Sequence, residues 1–337
     1  MNHSSLVEEA QSKKDKKRGT WSGFFAFWLT VLAAIPVSLF CLSLLGDYWF
    51  LSEMLVNFRF QILAMLLPFP FLLALTRRAT VTIGVSLVTI FCAVPIVESW
   101  IPVAQSLAGK DSIRLMSFNV LASNQNFHDV IAEIRRADPD LLIVAELNKT
   151  WETALNTLSD EYPWKVVQPR WHGYGIGFYS RLPISKQESI QLADKMTDDP
   201  AIDATVDAHG TSLRIIAVHF TSPGSPQRLQ IRNLQLKDVA KWLDGNDTAT
   251  VMAGDFNCTP FSNKFRDLCS ATGLRDSRRG FGYLGSFPKS PFILRIPIDH
   301  AIVSPEIHVS GRELGNASGS DHLPLILDFS ISRPGQE

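Results

Sequence analysis

Cysteine is scarce in this chain, with four residues in 337. Cys41 and Cys92 lie in long uncharged runs, so only Cys258 and Cys269 remain to bridge elsewhere. A dense disulfide scaffold is thereby excluded. An oxidising compartment would permit that single bridge, but an unbridged Cys258 next to Asn257 fits the sequence as well. Internal repeats are missing after residue 113, and no low-complexity tract occurs beyond a basic run near the N-terminus. Excess positive charge is missing too. Residues 113–337 carry 23 Lys and Arg against 26 Asp and Glu, a net of −3. That excludes the electrostatic footprint of an avid, nonspecific nucleic-acid binder. Nor is there a run of basic and aromatic residues that would track a DNA backbone.

Charge itself is absent from three stretches: residues 24–45, 60–75 and 79–97. The first and third are long enough to cross a hydrocarbon core of about 30 Å, and the second is if flanking residues join it. Trp21, Trp49 and Trp100 stand near their edges, where interfacial belts form. Buried helices of a soluble protein are the alternative, as is a cleaved signal peptide for the first run. Its apolar part is longer than a usual signal core, and it lacks a small-x-small stop. The expectation is a retained, three-span membrane region over residues 22–98.

Basic residues set the expected orientation. Lys13, Lys14, Lys16, Lys17 and Arg18 precede the first run, and Arg77-Arg78 separate the second from the third. The loop between the first two offers Arg59 beside Asp47 and Glu53. The expectation is a cytoplasmic tail (1–21), a linker (99–111) and a soluble domain (112–332) on the outer side of an inner membrane, periplasmic or extracellular. From residue 98 to 111 the chain reaches about 50 Å at most, which confines the domain near the membrane.

After residue 112 the pattern changes to short apolar runs between turns. Residues 114–118, 141–145, 174–180, 201–207, 212–219, 249–254, 299–303 and 324–330 read as strands, with His209-Gly210 as a hairpin turn. Residues 127–137, the segment marked by Trp151, Ala154, Leu155 and Leu158, and residues 226–243 read as amphipathic helices. Interleaved strands and helices predict an α/β (α+β) domain of packed mixed sheets with helices outside.

Polar residues follow or end those runs in a regular way: Phe118-Asn119-Val120, Ala145-Glu146-Leu147, Ala217-Val218-His219-Phe220, Gly254-Asp255-Phe256-Asn257, Ile298-Asp299-His300 and Ser320-Asp321-His322-Leu323-Pro324. Each has an ordinary structural explanation alone: a loop cap, an exposed carboxylate, a hydrogen-bonded histidine, an Asx turn. Arg275, Arg278 and Arg279 form a basic cluster that reads as a solvated turn or as a contact to a substrate phosphate. Carboxylates, amides and imidazoles at successive strand ends suit a hard cation and proton transfer.

Taken in order, the six segments resemble the endonuclease/exonuclease/phosphatase superfamily, which includes pancreatic-type DNases, apurinic endonucleases, neutral sphingomyelinases and inositol polyphosphate phosphatases. The stretch Gly175-Ile176-Gly177-Phe178-Tyr179-Ser180-Arg181-Leu182-Pro183-Ile184 matches the family's Ser-Arg-x-Pro strand, and the resemblance covers residues 112–331. It implies a four-layer sandwich and Mg²⁺-dependent hydrolysis of phosphoesters, with Mn²⁺ as a substitute. By resemblance Glu146 is the principal metal ligand, with Asn119 beside it and Asp321 as a further metal-side carboxylate. Asp255 orients or deprotonates water and Asn257 binds phosphate. His322 is the catalytic histidine oriented by Asp299, and His219 is the second histidine of the DNase and sphingomyelinase branches. His300 departs from the aromatic residue of many members.

The expectation is a membrane-anchored phosphodiesterase or phosphatase whose partner is a phosphoester, such as a lipid headgroup. The alternatives are a nuclease for extracytoplasmic DNA and a catalytically inactive interaction module. The intact set of site residues argues against the last.

Overall fold

A computed structural model describes residues 3–332 apart from 47, 106–110, 195, 244 and 246–247, with side chains from residue 23 onward. It divides into two units, Met1–Ile96 and Val97–Glu337. The first is helical: α1 (His3–Ser43), α2 (Phe50–Val56), α3 (Arg59–Leu66), α4 (Pro68–Ala74) and α5 (Ala79–Val97). Helix α1 takes in the N-terminal tail, whose basic side chains lie outside the described ones.

Among the described residues, two helical segments are long and apolar enough to cross a membrane, Gly23–Ser43 and Ala79–Trp100. The expected second span is not one straight helix. It passes the same test only as the pair Phe50–Val56 plus Arg59–Ala74, bent by 69°. Three spans are therefore reached only if that broken pair crosses. Arg59, assigned to a polar loop from its charge, is instead buried at the break. Its Nε donates to the Cys92 carbonyl at 3.0 Å and its Nη2 to the Phe91 carbonyl at 2.8 Å. Backbone acceptors are what a guanidinium needs in apolar surroundings.

In the second unit, alternation along the strands decides the layering. One sheet runs β11 (Ile307–Leu314), β12 (Leu325–Ile331), β1 (Ile113–Asn119), β2 (Leu141–Ala145), β4 (Ile176–Ser180), β3 (Trp164–Gln168). The other runs β5 (Ile184–Gln191), β6 (Pro200–Ala208), β7 (Thr211–His219), β8 (Thr250–Asp255), β10 (Asp299–Val303), β9 (Arg275–Asp276). Both are mixed: β1 pairs parallel with β2 and antiparallel with β12, and β7 pairs parallel with β8 and antiparallel with β6.

Leu115, Ile143, Ile215, Val251 and Val303, with even-numbered Phe178 of β4 and Ile202 of β6, form the core between the sheets. On β1 and β2, Met116, Phe118, Leu142 and Val144 face outward instead. They meet Val130 and Ile134 of α6 (Phe127–Ala137) and Trp151 and Leu155 of α7 (Lys149–Leu155). On the other sheet Ile216, Met252 and Ile302 meet Leu236 and Val239 of α8 (Pro226–Trp242) and Phe265 and Leu268 of α9 (Asn263–Thr272). These are the four layers of a sandwich, and they explain why β2, β8 and β10 are buried at every residue.

The amphipathic helix expected at 127–137 coincides with α6, and the one at 226–243 ends a residue earlier as α8. Ser225 caps α8 by accepting the Arg228 N–H at 3.3 Å, and Pro226 begins it. Strands β3, β5, β9 and β11 and helix α9 had no counterpart in the sequence reading. The four cysteines are free, with Cys258 in the core under α8 and α9. Residues 99–105, expected as part of a linker, belong to the second unit. The Ser99 carbonyl accepts the Gly280 and Gly282 amides at 2.8 and 3.0 Å, and Gln105 Oε1 accepts the Val309 N–H at 2.7 Å. The rest of that stretch, 106–110, lies outside the described residues.

Candidate active site

The strand pleat that builds the inter-sheet core also builds the site. Extending its two-residue period to the strand ends puts Asn119, His219, Asp255 and Asp299 on the same inward face. Pairing then lines them up. Asp255 is opposite His219 on β7 and opposite Asp299 on β10, so three functional side chains sit abreast across three strands. Asn119 is opposite Ala145, the last residue of β2. Glu146 would point outward by parity. Its backbone turns left-handed there, with φ +61°, and its carboxylate reaches Asn119. Such a conformation is costly for a residue with a Cβ, which marks the position as one held by its surroundings.

Close approach of β7 and β8 depends on Gly254. Its φ is +149°, and a Cβ there would lie 1.8 Å from the Val218 carbonyl oxygen. Asn257, with φ +48°, ends the turn after β8 and donates from its amide to the Phe220 carbonyl at 2.8 Å.

Hydrogen bonds join the two sheets through the site. The Asn119 amide donates to Glu146 Oε1 and to Asp255 Oδ2, both at 3.1 Å. Glu146 Oε2 accepts the Ala122 N–H at 2.7 Å, and Asp255 Oδ1 accepts the Asn257 N–H at 2.9 Å. His322 Nδ1 stands 2.8 Å from Asp299 Oδ2, and its Nε2 faces Asp255 Oδ2 at 3.7 Å. His219 Nε2 is also 3.7 Å from Asp255 Oδ2. Asp255 thus lies between two imidazoles.

Electrostatics separate those imidazoles. Burial pushes His219 down to about 3, helped by the positive charge of His322, so it is neutral at physiological pH. Burial also opposes charge on His322, but the carboxylates of Asp299 and Asp255 hold it up to about 10. Burial raises Asp255 to about 7, aided by Asp299 and opposed by His322 and its hydrogen-bond donors. One ring is held charged and the other neutral across a single carboxylate.

Asp255, Asp299 and His322 offer ligand atoms within 4.8 Å of one another. Neither Glu146 nor Asp321 is in that group. The Asp321 backbone carbonyl accepts the Lys289 N–H at 2.7 Å, and its Oδ1 is buried with no hydrogen-bond partner. The basic cluster is not a solvated turn throughout, because Arg278 turns inward. Arg278 is buried, and its Nε lies 3.3 Å from Asp276 Oδ2. Arg275 donates to the Ile307 carbonyl. These guanidiniums brace the domain interior. His300 packs between aromatic rings. It sits edge-on to Phe256 at 5.2 Å and donates from Nε2 to the Cys258 carbonyl at 2.9 Å.

Several supporting residues gave no sequence signal. Ser286 Oγ accepts the Asp299 N–H at 3.2 Å, and buried Arg312 donates to the Asp299 carbonyl at 3.3 Å. The Phe287 ring packs on His322 at 4.7 Å, and Tyr174 stacks on His219 at 4.8 Å. Ser320, two residues before His322, donates to the Asn119 carbonyl at 2.7 Å and accepts the His322 N–H at 3.0 Å.

Known proteins share this fold. The model of the Endonuclease/Exonuclease/phosphatase family matches residues 116–322. No curated protein matches the chain. Among solved structures, the fold is similar to an endonuclease/exonuclease/phosphatase from Beutenbergia cavernae, at 20% identity and TM-score 0.55 over 66% of this chain and 72% of that one. It is similar to Danio rerio TDP2 complexed with single-strand DNA product, at 17% identity and TM-score 0.57 over 66% and 100%. The human Nocturnin catalytic domain with bound sulfate anion gives 21% identity and TM-score 0.54 over 66% and 94%. The residues that the family model spans run from β1 to His322 and include every strand end described above, and the chain belongs to the Endonuclease/Exonuclease/phosphatase family.

Proposed function

We propose that this chain is a membrane-anchored, divalent-metal-dependent phosphoesterase that hydrolyses an extracytoplasmic phosphoester, a lipid headgroup being the favoured substrate. The observation that carries the chemistry is the array of His219, Asp255, His322 and Asp299, joined through Asn119 to Glu146. Glu146 and Asn119 are the proposed metal ligands, with Asp321 as a further carboxylate on that side. The donor set fits: hard oxygens suit Mg²⁺ or Mn²⁺. A single amide group bridges two carboxylates, Glu146 and Asp255, and Asp321 keeps a buried oxygen without a donor. When bound, a cation there supplies positive charge to the phosphoryl oxygens.

The chain's own residues do the rest. Asp255 holds the attacking water and takes its proton. Charged His322, fixed by Asp299, donates a hydrogen bond to a phosphoryl oxygen or its proton to the leaving group. Neutral His219 offers an N–H to the developing charge without competing for the proton of His322. The Asn257 side chain, set beside Asp255 by its left-handed turn, binds phosphate.

Membrane placement rests on the apolar helices and on basic residues before and between them. A domain held there by a short linker meets membrane-associated substrates at high effective concentration. An alkaline phosphatase reporter fused after Asp111 is expected to be active in a bacterial host. Activity of a cytoplasm-only reporter at that junction would reverse the orientation.

Substrate class is tested on the full chain in detergent micelles or bilayer discs. Turnover of phospholipids, inositol phosphates and plasmid DNA is compared with Mg²⁺, with Mn²⁺ and with chelator. Metal-dependent release of phosphorylated headgroup, with slow plasmid nicking, is expected. Rapid nicking with no headgroup release would replace the lipid reading by the nuclease one.

A further inference from the structure

The loop that packs against His322 carries an exposed apolar tip. Residues 288–295 are closed at the base by the bridge between Phe287 and Ile296. At the tip Phe292, Ile293 and Leu294 are 77%, 72% and 44% exposed. Three consecutive large apolar residues exposed together are unlike scattered surface hydrophobics, because a contiguous apolar patch marks a contact surface whereas single exposed residues are ordinary. Nor is the tip a floppy end. Arg295 donates from Nε and Nη2 to the Lys289 carbonyl at 3.0 and 2.6 Å, and its guanidinium lies over the Phe292 ring.

Below the tip the loop is tied to the catalytic segment on both sides of His322. The Lys289 N–H donates to the Asp321 carbonyl at 2.7 Å, and the Leu323 N–H donates to the Ser286 carbonyl at 2.9 Å. A second exposed apolar group flanks the other imidazole. Trp171 is 90% exposed, and its ring leads through His172 and Tyr174 to the face of His219. Apolar prominences therefore stand beside each of the two histidines.

We infer that the 288–295 loop is a lipid-contact element that inserts its Phe292–Leu294 tip into the interfacial layer of the membrane carrying the chain's own apolar helices. Three observations commit the loop to a bilayer. The segment 281–298 contains Lys289 and Arg295 and no Asp or Glu, which suits an anionic lipid surface. Aromatic and aliphatic side chains beside basic ones are the composition of an interfacial anchor. The same chain holds two helices apolar enough to cross a membrane. This inference rests on the lipid-facing reading of the site and adds to it a means of bringing His322 to the headgroup layer.

The test uses the full chain in discs of mixed phosphatidylcholine and phosphatidylglycerol. Cys41 and Cys269 are replaced by alanine and an environment-sensitive fluorophore is attached at Ile293→Cys. Blue-shifted emission, quenched by spin-labelled lipid, is expected. A probe at Lys186→Cys, on exposed β5, should show neither. Emission at position 293 that matches the control overturns the inference. So does a blue shift that rises with protein concentration and resists lipid quenching, which would indicate a second copy on the tip.

Activity gives an independent readout. Phe292→Ser with Ile293→Ser is expected to lower hydrolysis of bilayer phospholipid by about tenfold, the scale of partly burying two apolar side chains. Hydrolysis of soluble bis(p-nitrophenyl) phosphate should be unchanged. Lipid turnover equal to that of the unaltered chain would remove the loop from the mechanism and leave the phosphoesterase reading intact. A quenched probe on an enzyme that cleaves only the soluble ester would keep the loop and discard the lipid substrate.

Discussion

Replacing His322 by alanine is expected to lower kcat/KM by about a thousandfold, within the range of about 10² to 10⁴ that one positioned acid–base group supplies. That is about 4 kcal/mol of transition-state stabilisation. The ring is placed by three contacts at once: Asp299 at 2.8 Å, the Ser320 hydroxyl at the backbone N–H, and Phe287 against its face. Asp299 supplies no proton to substrate in this account. It fixes the tautomer and holds the positive charge, so Asp299→Asn should cost nearly as much as His322→Ala. The double variant should then be little worse than either single one, because groups acting as a unit lose their contribution once. Fully additive losses would mean that the pair does not work together. A melting curve for each variant separates this from misfolding, since unpairing a buried ionic group costs stability too.

What the sequence made legible follows from burial. The eight strands expected from apolar runs are the eight that have a strand on either side: β1, β2, β4 and β12 in one sheet, β6, β7, β8 and β10 in the other. The four it missed, β3, β5, β9 and β11, are the four sheet edges. Physical necessity explains the division. A central strand in a four-layer sandwich is covered on both faces and is mostly apolar, as β2 and β8 are. An edge strand is polar by need, since an exposed apolar edge invites pairing with other chains. Residues 184–191, with Ser185, Lys186, Gln187, Glu188 and Ser189 exposed in succession, carry no alternation to detect. Strand β11 is further disguised by a bulge between Val309 and Gly311.

The site divides on the same line. Asn119, His219, Asp255 and Asp299 stand at the ends of central strands, where an apolar run announces them, and Glu146 stands one residue beyond. Their supports do not. Arg312 comes from an edge strand, Ser286 and Phe287 from a loop, and Tyr174 from the turn before β4. Each acts through a contact made only in three dimensions. The membrane region follows a related rule: composition alone gives the apolar length of residues 60–75, but not the 69° bend near Arg59. That bend goes with a side chain reaching carbonyls more than thirty residues away.

Glu146→Gln is expected to be the other variant of large effect, and it tests the metal rather than the proton transfer. Glutamine keeps the length of the side chain and can still accept the Ala122 N–H through its amide oxygen, so the fold and the left-handed turn should survive. What goes is one of the two carboxylates that share the Asn119 amide. A dication held by few protein oxygens loses much of its electrostatic attraction when one formal charge is removed. Activity at saturating substrate should fall by about a hundredfold or more, and the Mg²⁺ needed for half-activation should rise. Binding can be followed without turnover. Calorimetric titration with Mn²⁺ should show weaker uptake by the variant, and Mn²⁺ should raise its melting temperature less than that of the unaltered chain. Asp255→Asn separates the two roles, since it should abolish turnover while Mn²⁺ uptake at Glu146 persists. Full activity of Glu146→Gln in excess chelator would sink the metal reading and leave hydrolysis to Asp255 and the two histidines alone.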